Sequence, residues 1–433
     1  MYSRVCLRRA GLLALAVLLT GMIVSTAWAE NSAIVPVPRE DNGWMKRHES
    51  MNERVKQGNV DLLFIGDSIT HGWEGAGKEV WDQYYAKRNA VNLGIGGDQT
   101  QHVLWRLDNG NIDGIKPKLA VIMIGTNNSH SNTAPEIAEG VEAIVKKLRA
   151  RLPEMRILLL AIFPRTDVPA EIQQKIKEAS AKFAADLAAD PMVEFMDIGP
   201  AFLNEKGELT KDVMPDLLHP NAKGYALEAE ATESAIGRLL GVAEGWTPLF
   251  NGKDLTGLEA VGDKSGWHAK DGILYTEGGG GAWISTTKEY GDFDLSLEFK
   301  VPKGGNSGVF IHAPRNGNPS FEGSEIQVLD DYDDQYKDLK PYQYCGSVYA
   351  TIAATPRVSK HFGEWQKMEI HCQGTKVAVT LNGTKVADGD LSEHMDKIKD
   401  HPGIKRTSGY VGLQDHSSRL DYRNILIREI TAK

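Results

Sequence analysis

The chain has 433 residues, which is too long for one ordinary hydrophobic core, so two or three domains are expected. Apolar residues make up 41% and charged residues 25% of it, proportions typical of a globular protein in water. The formal net charge of −9 argues against nucleic acid or an anionic membrane surface as its partner.

The beginning of the chain has the pattern of an export signal. Three arginines precede an apolar run over residues 11–27, and Ala27-Trp28-Ala29 has the small-x-small form of a cleavage site. We therefore predict that residues 1–29 are a signal peptide and that the mature protein is secreted or periplasmic. An uncleaved membrane anchor is the alternative. No other stretch is apolar enough to span a bilayer, so no stable membrane insertion is expected after cleavage.

The next part of the chain alternates strand and helix patterns. Short apolar runs predict buried parallel strands at residues 60–65, 91–97, 119–124, 157–162 and 193–196. Amphipathic helices lie between them, and one begins at a capping box formed by Thr133 and Glu136. This alternation predicts an α/β fold in which helices cover both faces of a parallel sheet.

Small polar residues or glycine follow several of these strands, at the edge where open α/β sheets bind ligands. Ser68 follows the first strand, Gly97 the second and Asn127 the third. Asp216 and His219 lie three residues apart just before the last helix, so a carboxylate is within reach of an imidazole nitrogen. Taken singly, Ser68 could simply cap the next helix.

Together these residues supply the parts of a serine hydrolase. Serine is a poor nucleophile until a base takes its proton; His219 is the predicted base and Asp216 orients it. The predicted catalytic residues are therefore Ser68, Asp216 and His219. The N–H groups of Ser68 and Gly97 and the side-chain amide of Asn127 are the predicted oxyanion hole.

Other polar residues are given structural roles or none. Asp67 is expected to fix the turn at the nucleophile by hydrogen bonding, and Asp98 and Arg106 to pair. Removal of the signal would leave Cys345 and Cys372, which form either one disulfide or two buried free thiols. No ligand spacing indicates a metal site, and no cofactor is expected.

Four motifs, in this order, resemble those of the SGNH (GDSL) hydrolase superfamily: Gly66-Asp67-Ser68, the glycine block at Gly97, Gly125-Thr-Asn127 and Asp216-x-x-His219. Four segments look like the platelet-activating-factor acetylhydrolase branch of it, namely Trp44-Met45, Asn92-Leu-Gly-Ile-Gly-Gly-Asp98, His102-Val-Leu-Trp-Arg-Leu107 and Gly125-Thr-Asn-Asn128. The likeness covers about residues 40–240. It implies a flavodoxin-like three-layer sandwich with esterase activity. That branch is cytoplasmic, so its phospholipid substrate need not apply here, and exported relatives commonly deacylate glycans.

Beyond a linker at residues 241–245 the pattern changes to strands only. Residues 293–301 alternate apolar and polar, which indicates a half-buried strand. Asn382-Gly383 separates two alternating runs, which predicts a hairpin with a type I′ turn. We expect an all-β sandwich or jelly roll, and we place the two domains at residues 30–242 and residues 246–433.

Several phrases of this second half resemble the 3-keto-disaccharide hydrolase domain (domain of unknown function 1080). They include Leu249-Phe-Asn-Gly-Lys-Asp-Leu255, Glu325-Ile-Gln-Val-Leu-Asp330, Gly363-Glu-Trp365 and Gly412-Leu-Gln414. The likeness covers about residues 246–430 and implies a concanavalin-like sandwich related to family-16 glycanases.

Glu325, Gln327 and Asp330 are candidate site residues of this second domain. Residues i and i+2 of a strand share a face, and Asp330 joins them only if a β-bulge intervenes. Two carboxylates could perform acid/base chemistry on a glycosidic bond, but glutamine at the middle position leaves a sugar-binding face without turnover open. His312 and Trp365 complete the candidate set. Trp365 either stacks on a sugar ring or packs in the core.

The sequence therefore predicts an exported serine esterase that hydrolyses acetyl or other short acyl esters on carbohydrate. Its second domain is expected to bind or cleave a (3-keto) glycoside, so the expected partner is an acylated glycan. One alternative is a lipid-directed esterase or phospholipase. The other is a glycan-binding protein with an inactive esterase domain.

Overall fold

The computed structural model describes residues 31–262, 266–279, 282–416 and 418–430. The predicted signal peptide lies outside these residues. Residues 32–433 form one compact unit. Within the described ranges, no helix combines the length and apolarity that crossing a bilayer requires.

The first half is a parallel five-stranded sheet with helices on both faces. Its strands are β1 (Leu62–Gly66), β2 (Ala90–Gly94), β3 (Leu119–Met123), β4 (Arg156–Leu160) and β5 (Val193–Met196), in the spatial order β2-β1-β3-β4-β5. Its helices are α1 (Asn42–Lys56), α2 (Ser68–His71), α3 (Lys78–Tyr84), α4 (Thr100–Asp108), α5 (Ala134–Arg151), α6 (Ala170–Leu187) and α7 (Ala222–Ala243). This is the α/β architecture that the sequence predicts.

The central strand β1 shows why both faces are covered. Leu63 and Ile65 pack into the core on one side of the sheet, and Leu62 and Phe64 pack into the core on the other. A strand that is apolar at every position must be buried on both faces. Helix α5 begins at the predicted capping box, where the Thr133 side chain and the N3 glutamate carboxylate each accept a backbone N–H.

The second half is a sandwich of antiparallel sheets. Its strands are β6 (Thr247–Pro248), β7 (Leu258–Val261), β8 (Trp267–Lys270), β9 (Ile273–Thr276), β10 (Ala282–Thr286), β11 (Phe293–Lys300), β12 (Asn306–Ala313), β13 (Ser324–Leu329), β14 (Gln366–Gln373), β15 (Lys376–Leu381), β16 (Thr384–Asp390), β17 (Tyr410–Asp415) and β18 (Leu420–Glu429). A short helix, α8 (Pro319–Glu322), precedes β13. One sheet has the order β13-β12-β17-β10-β7 and the other β16-β15-β14-β11-β18-β9-β8, with β6 beside β18.

Alternation along the strands builds the core between these two sheets. Leu295 and Leu297 of β11 face Val309 and Ile311 of β12 in one buried cluster. The predicted hairpin joins β15 to β16 through Asn382-Gly383, whose φ angles of +51° and +82° suit a type I′ turn.

The two cysteines of the described chain, Cys345 and Cys372, are both buried and free, so the disulfide alternative is wrong. Both side chains belong to the apolar core of the sandwich. Burial raises the pKa of each thiol well above its ordinary value. They act there as small apolar side chains.

Helix α7 connects the two halves. Asn424 and Leu426 of β18 lie against Gly237 and Gly241, where any Cβ atom would collide with their side chains. Ser234 Oγ donates to the Gly272 carbonyl at 2.6 Å. Glycine costs about 1 kcal/mol in a helix interior, but at these positions it lets the strand approach the helix backbone.

Candidate active site

The nucleophile candidate lies at a tight turn after β1. Ser68 is the first residue of α2 and is half-buried. Asp67 Oδ1 accepts the N–H of Ile69 at 3.0 Å and so caps this helix, which confirms its predicted role in the turn. The serine hydroxyl therefore sits at the carboxyl edge of the sheet, where α/β folds bind ligands.

The turn before α7 brings a histidine and a carboxylate to this serine. His219 Nε2 lies 2.9 Å from Ser68 Oγ, and His219 Nδ1 lies 2.6 Å from Asp216 Oδ2. Leu217, within the turn, has φ +64°, and its carbonyl accepts the N–H of Thr166 at 3.1 Å. The three residues predicted to be catalytic thus form one hydrogen-bonded chain.

The charge of Asp216 suits this geometry. Burial raises the pKa of its carboxyl, but hydrogen bonds from the His219 ring and from two backbone N–H groups outweigh that effect and lower it to about 2. The ionised carboxylate favours a proton on His219 Nδ1. The Nε2 atom is then free to accept the proton of the Ser68 hydroxyl.

Residues 94–98 form the opposite wall of the site, next to the Asn127 side chain. A methyl group on Gly96 would lie 3.8 Å from Ser68 Cβ, so this loop borders the nucleophile. Asn127 Nδ2 donates to the Asp98 carbonyl at 2.9 Å. Among the described residues, no acceptor lies against the N–H groups of Ser68 or Gly97. The Asn127 side chain therefore lies next to the loop that carries Gly97, and this loop borders Ser68.

Buried polar side chains hold this loop in place. Asp98 is fully buried and accepts Trp44 Nε1 at 2.6 Å and Arg106 Nε at 2.9 Å. The predicted pairing of Asp98 with Arg106 is confirmed. Trp44 comes from α1 and Arg106 from α4, so the loop is fixed between two helices.

Two further arginines contact the loop backbone, and no motif had pointed to them. Arg39 Nη1 donates to the Gly96 carbonyl at 2.6 Å, and Arg47 Nε donates to the Gly94 carbonyl at 2.7 Å. Their partners are backbone carbonyl groups, which every residue has. The identity of the contacted residue therefore gives no sign of the contact. Arg39 belongs to the extended arm that precedes α1.

The second carboxylate oxygen of Asp67 is buried without a hydrogen-bond partner among the described residues. Burial raises the pKa of Asp67 to about 7; the Ile69 N–H opposes this rise, and the negative charge of Asp98 adds to it. A carboxyl group directly before the nucleophile therefore titrates near neutral pH.

A cavity of about 680 Å³ is lined in part by residues 164–166. Its walls include Ile162, Ile176, Phe195 and Leu203, together with Thr166. Because the N–H of Thr166 is bonded to the catalytic turn, the cavity adjoins that turn. It has the size and lining of a site for an apolar group.

The sandwich carries a cavity of about 670 Å³ on the outer face of the sheet that contains β12 and β13. Trp283, Phe310, Ser320 and His416 are among its lining residues. Glu325 pairs with Phe310 across the two strands and is 5% exposed. Burial raises the pKa of Glu325 to about 7, against a hydrogen bond from Ser320.

Among the described residues that line this cavity, none belongs to the predicted second-domain set; Glu325 is linked to its wall through Phe310 and Ser320. Gln327 is on the same face as Glu325, but its Nε2 donates to Asn306 Oδ1 at 2.7 Å. Asp330 lies beyond the end of β13, and its carboxylate accepts the N–H of Gly304 at 2.9 Å. The register of β12 with β13 runs without a shift through Leu329, so in these described strands the β-bulge on which the place of Asp330 depended is absent.

His312 and Trp365 also have other contacts. His312 Nε2 lies 2.8 Å from the Gly291 carbonyl, and the ring is buried. Trp365 stacks on Arg423, whose guanidinium centre is 4.0 Å from the ring centroid. Arg423 is on β18, in the other sheet, so Trp365 is not part of the Glu325 site.

Within the described ranges, no group of three or more histidine, cysteine, aspartate or glutamate side chains is arranged to hold a metal ion.

Comparisons with known proteins match two separate segments of the chain. The GDSL-like lipase/acylhydrolase family matches residues 64–227, and the 3-keto-alpha-glucoside-1,2-lyase-like domain matches residues 245–428. Platelet-activating factor acetylhydrolase IB subunit alpha1 of Homo sapiens is 36% identical over 220 residues, which cover 50% of this chain and 94% of that protein. Subunit alpha2 of Rattus norvegicus is 36% identical over 214 residues, covering 48% and 92%. A solved structure from Parabacteroides distasonis, assigned as a glycosyl hydrolase, shares 30% identity, covers 44% of this chain and 96% of its own, and has a TM-score of 0.40.

Proposed function

Because the chain belongs to the GDSL-like lipase/acylhydrolase family, we propose that it is an exported serine esterase that removes acetyl or another short acyl group from carbohydrate. The observation that supports this most strongly is the hydrogen-bonded chain from Ser68 through His219 to Asp216.

In the first half-reaction, Ser68 Oγ attacks the acyl carbon and its proton passes to His219 Nε2. The carbonyl oxygen becomes an oxyanion that accepts hydrogen bonds from the N–H groups of Ser68 and Gly97 and from the Asn127 amide. The bond to the alcohol then breaks. The alcohol leaves with the proton from His219, and the acyl group stays on Ser68. Each oxyanion-hole donor is worth roughly 3 kcal/mol of transition-state stabilisation.

In the second half-reaction, water takes the place of the alcohol. His219 removes a proton from the water as the water oxygen attacks the acyl carbon, and the same donors stabilise the second oxyanion. Collapse of this intermediate breaks the bond to Ser68, which recovers its proton from His219. The products are a carboxylic acid and the free enzyme.

The acyl group and the carrier are supported by different parts of the chain. A short acyl group is favoured by the acetylhydrolase names of the relatives. A carbohydrate carrier is favoured by the second half, which matches a domain named for an α-glucoside lyase. Export is favoured by the pattern of residues 1–29. The apolar cavity beside the catalytic turn keeps a lipid-directed esterase as the rival.

The test compares wild type with Ser68→Ala on p-nitrophenyl acetate, with Ser50→Ala, an exposed serine of α1, as the control. We expect Ser68→Ala to lower kcat by at least about 10³-fold and the control to be fully active. Equal rates in all three proteins would refute the esterase. A wild type without activity would favour the glycan-binding alternative.

Substrate class is tested with a chain-length series of nitrophenyl esters and with acetylated polysaccharides. We expect the highest kcat/KM for acetate or butyrate esters and release of acetate from the polysaccharide. A maximum at long acyl chains would instead favour the lipid-directed rival.

The second half is proposed to cleave a 3-keto-glucoside by elimination, and the observation that favours this is the buried Glu325, whose carboxyl is hydrogen-bonded to Ser320 of the sandwich cavity wall. A ketone at C3 acidifies the proton on C2. Glu325 would take that proton, the C1–O bond would break, and the leaving alcohol would take a proton from solvent. A carboxyl group with a pKa of about 7 is suited to act as a base near neutral pH.

Incubation with a 3-keto-glucoside tests this activity, with Glu325→Gln as the variant and Glu364→Gln, which is exposed, as the control. We expect alcohol release by wild type and by the control, and loss of release in Glu325→Gln. Binding without turnover in the wild type would leave a sugar-binding role. Unchanged turnover in Glu325→Gln would remove this residue from the mechanism.

A further inference from the structure

The peptide bond between Gly96 and Gly97 determines where one oxyanion-hole donor points. In a trans peptide, the carbonyl and the N–H lie on opposite sides of the chain. Arg39 Nη1 donates to the Gly96 carbonyl at 2.6 Å. The Gly97 N–H, which belongs to the same peptide unit, must therefore point away from Arg39.

The role inferred below requires the Gly97 N–H to point into the site, and two observations support this. Gly96 borders the nucleophile, since a methyl group there would lie 3.8 Å from Ser68 Cβ. No acceptor within the described part of the chain contacts the Gly97 N–H. Rotation of this peptide would turn the carbonyl oxygen toward the oxyanion. The hydrogen bond from Arg39 opposes that rotation.

The guanidinium is itself held in position. Arg39 Nη2 lies 3.0 Å from Asp41 Oδ2, and Nη1 lies 3.9 Å from the buried Asp98 Oδ1. The arm that carries it is tied to α4, because the Val37 N–H donates to the Gln101 carbonyl at 3.3 Å. Arg39 is thus part of an ordered contact between the arm and the loop.

A charged donor also changes the strength of the Gly97 N–H. Hydrogen bonds to ionised groups are roughly twice as strong as neutral ones. A donor on the carbonyl side of a peptide polarises that peptide and strengthens the hydrogen bond that its N–H can donate. The orientation and the strength of the donor therefore both depend on Arg39.

We propose that Arg39 is a positioning residue of the oxyanion hole, so that the arm before α1 is part of the catalytic unit. This role deepens the proposed esterase and depends on it. Arg39 does not touch the reacting atoms. It acts through the Gly96–Gly97 peptide and should affect the chemical step more than substrate binding.

The experiment compares Arg39→Ala and Arg39→Lys with wild type, using Glu40→Gln, an exposed neighbour on the same arm, as the control. Steady-state kinetics on p-nitrophenyl acetate give kcat and KM, and thermal melting reports the fold. We expect Arg39→Ala to lower kcat about 10- to 100-fold, with KM within about twofold of wild type, since one donor is misdirected rather than removed. Arg39→Lys should lie between Arg39→Ala and wild type.

Chemical rescue separates positioning from stability. Millimolar guanidinium chloride should restore part of the kcat of Arg39→Ala, whereas sodium chloride at equal ionic strength should not. Guanidinium should leave Ser68→Ala inactive. Unchanged kcat in Arg39→Ala would overturn the role of Arg39. A lower kcat that follows a lower melting temperature and is not rescued would overturn it too. An inactive wild type would refute the esterase itself, while an active wild type equalled by Arg39→Ala would refute only the role of Arg39.

Discussion

We expect Gly97→Ala to lower both stability and kcat, whereas Gly96→Ala, one residue earlier, should leave stability almost unchanged. Gly97 has φ +80°, a left-handed conformation that costs an L-residue about 1–2 kcal/mol. A Cβ atom there would also lie 2.8 Å from Arg39 Nη1, so the guanidinium must leave the Gly96 carbonyl. We expect Gly97→Ala to lower stability by about 1–2 kcal/mol and kcat by about 10- to 100-fold.

Gly96→Ala is the matched control because it adds the same methyl group one residue earlier. Its Cβ would lie 3.8 Å from Ser68 Cβ and 3.9 Å from His71 Nδ1, which are ordinary van der Waals contacts. We expect its stability to stay within about 0.5 kcal/mol of wild type. The assay is urea unfolding followed by fluorescence, with kcat measured on p-nitrophenyl acetate.

The two variants together can refute the reasoning. Equal stability of Gly97→Ala and Gly96→Ala would show that the left-handed backbone at Gly97 carries no strain. An unchanged kcat in Gly97→Ala would show that the Gly97 N–H does not bind the oxyanion. Guanidinium should not rescue Gly97→Ala, since the new methyl group occupies the position of the added ion.

Two further outcomes follow from buried and catalytic carboxyl groups. Burial raises the pKa of Glu228 from 4.5 to about 8. Between these two pH values the folded protein keeps a proton on Glu228 that the unfolded chain releases. Glu228 should therefore lower stability by about 1.4 kcal/mol per pH unit between those values. Burial also raises the pKa of Asp67 and of Glu325 to about 7, so Glu228→Gln should make the fall in stability shallower by that amount rather than abolish it, while the exposed Glu230→Gln keeps the wild-type slope, as melting from pH 5 to pH 8 would show. A parallel slope in Glu228→Gln would contradict this. Asp216→Asn should lower kcat about 10⁴-fold on p-nitrophenyl acetate with little change in KM, and a loss below tenfold would argue against its orienting role.

Hydrophobic periodicity was sufficient to predict both fold classes. The apolar run at residues 60–65 became β1, and the alternation at residues 293–301 became β11, because period and burial are properties of short segments. The spatial order of the strands was not predictable in this way. The strand order depends on where each connection between strands packs against the sheet, and a short segment of sequence does not contain that information.

The same distinction applies to the residues of the candidate site. Ser68, Asp216 and His219 were predictable because each lies in a short motif with a chemical reason for its spacing. Arg39 was not, because its partner is a backbone carbonyl at Gly96, far along the chain. The place of Asp330 stayed conditional on a β-bulge, because it depends on how the chain leaves β13, which spacing alone does not specify.

The path of α7 has a consequence for exchanging parts of this protein. The helix begins three residues after His219, and near its other end two glycines receive Asn424 and Leu426 of the last strand. Cutting the chain between its halves would expose a bare groove on the esterase and an unmatched leucine on the sandwich. A chimera with a foreign carbohydrate-binding partner would therefore need new side chains at Gly237 and Gly241 to fill that groove. Where α7 and β18 meet, the substitutions that one half can accept are therefore limited by the side chains of the other half.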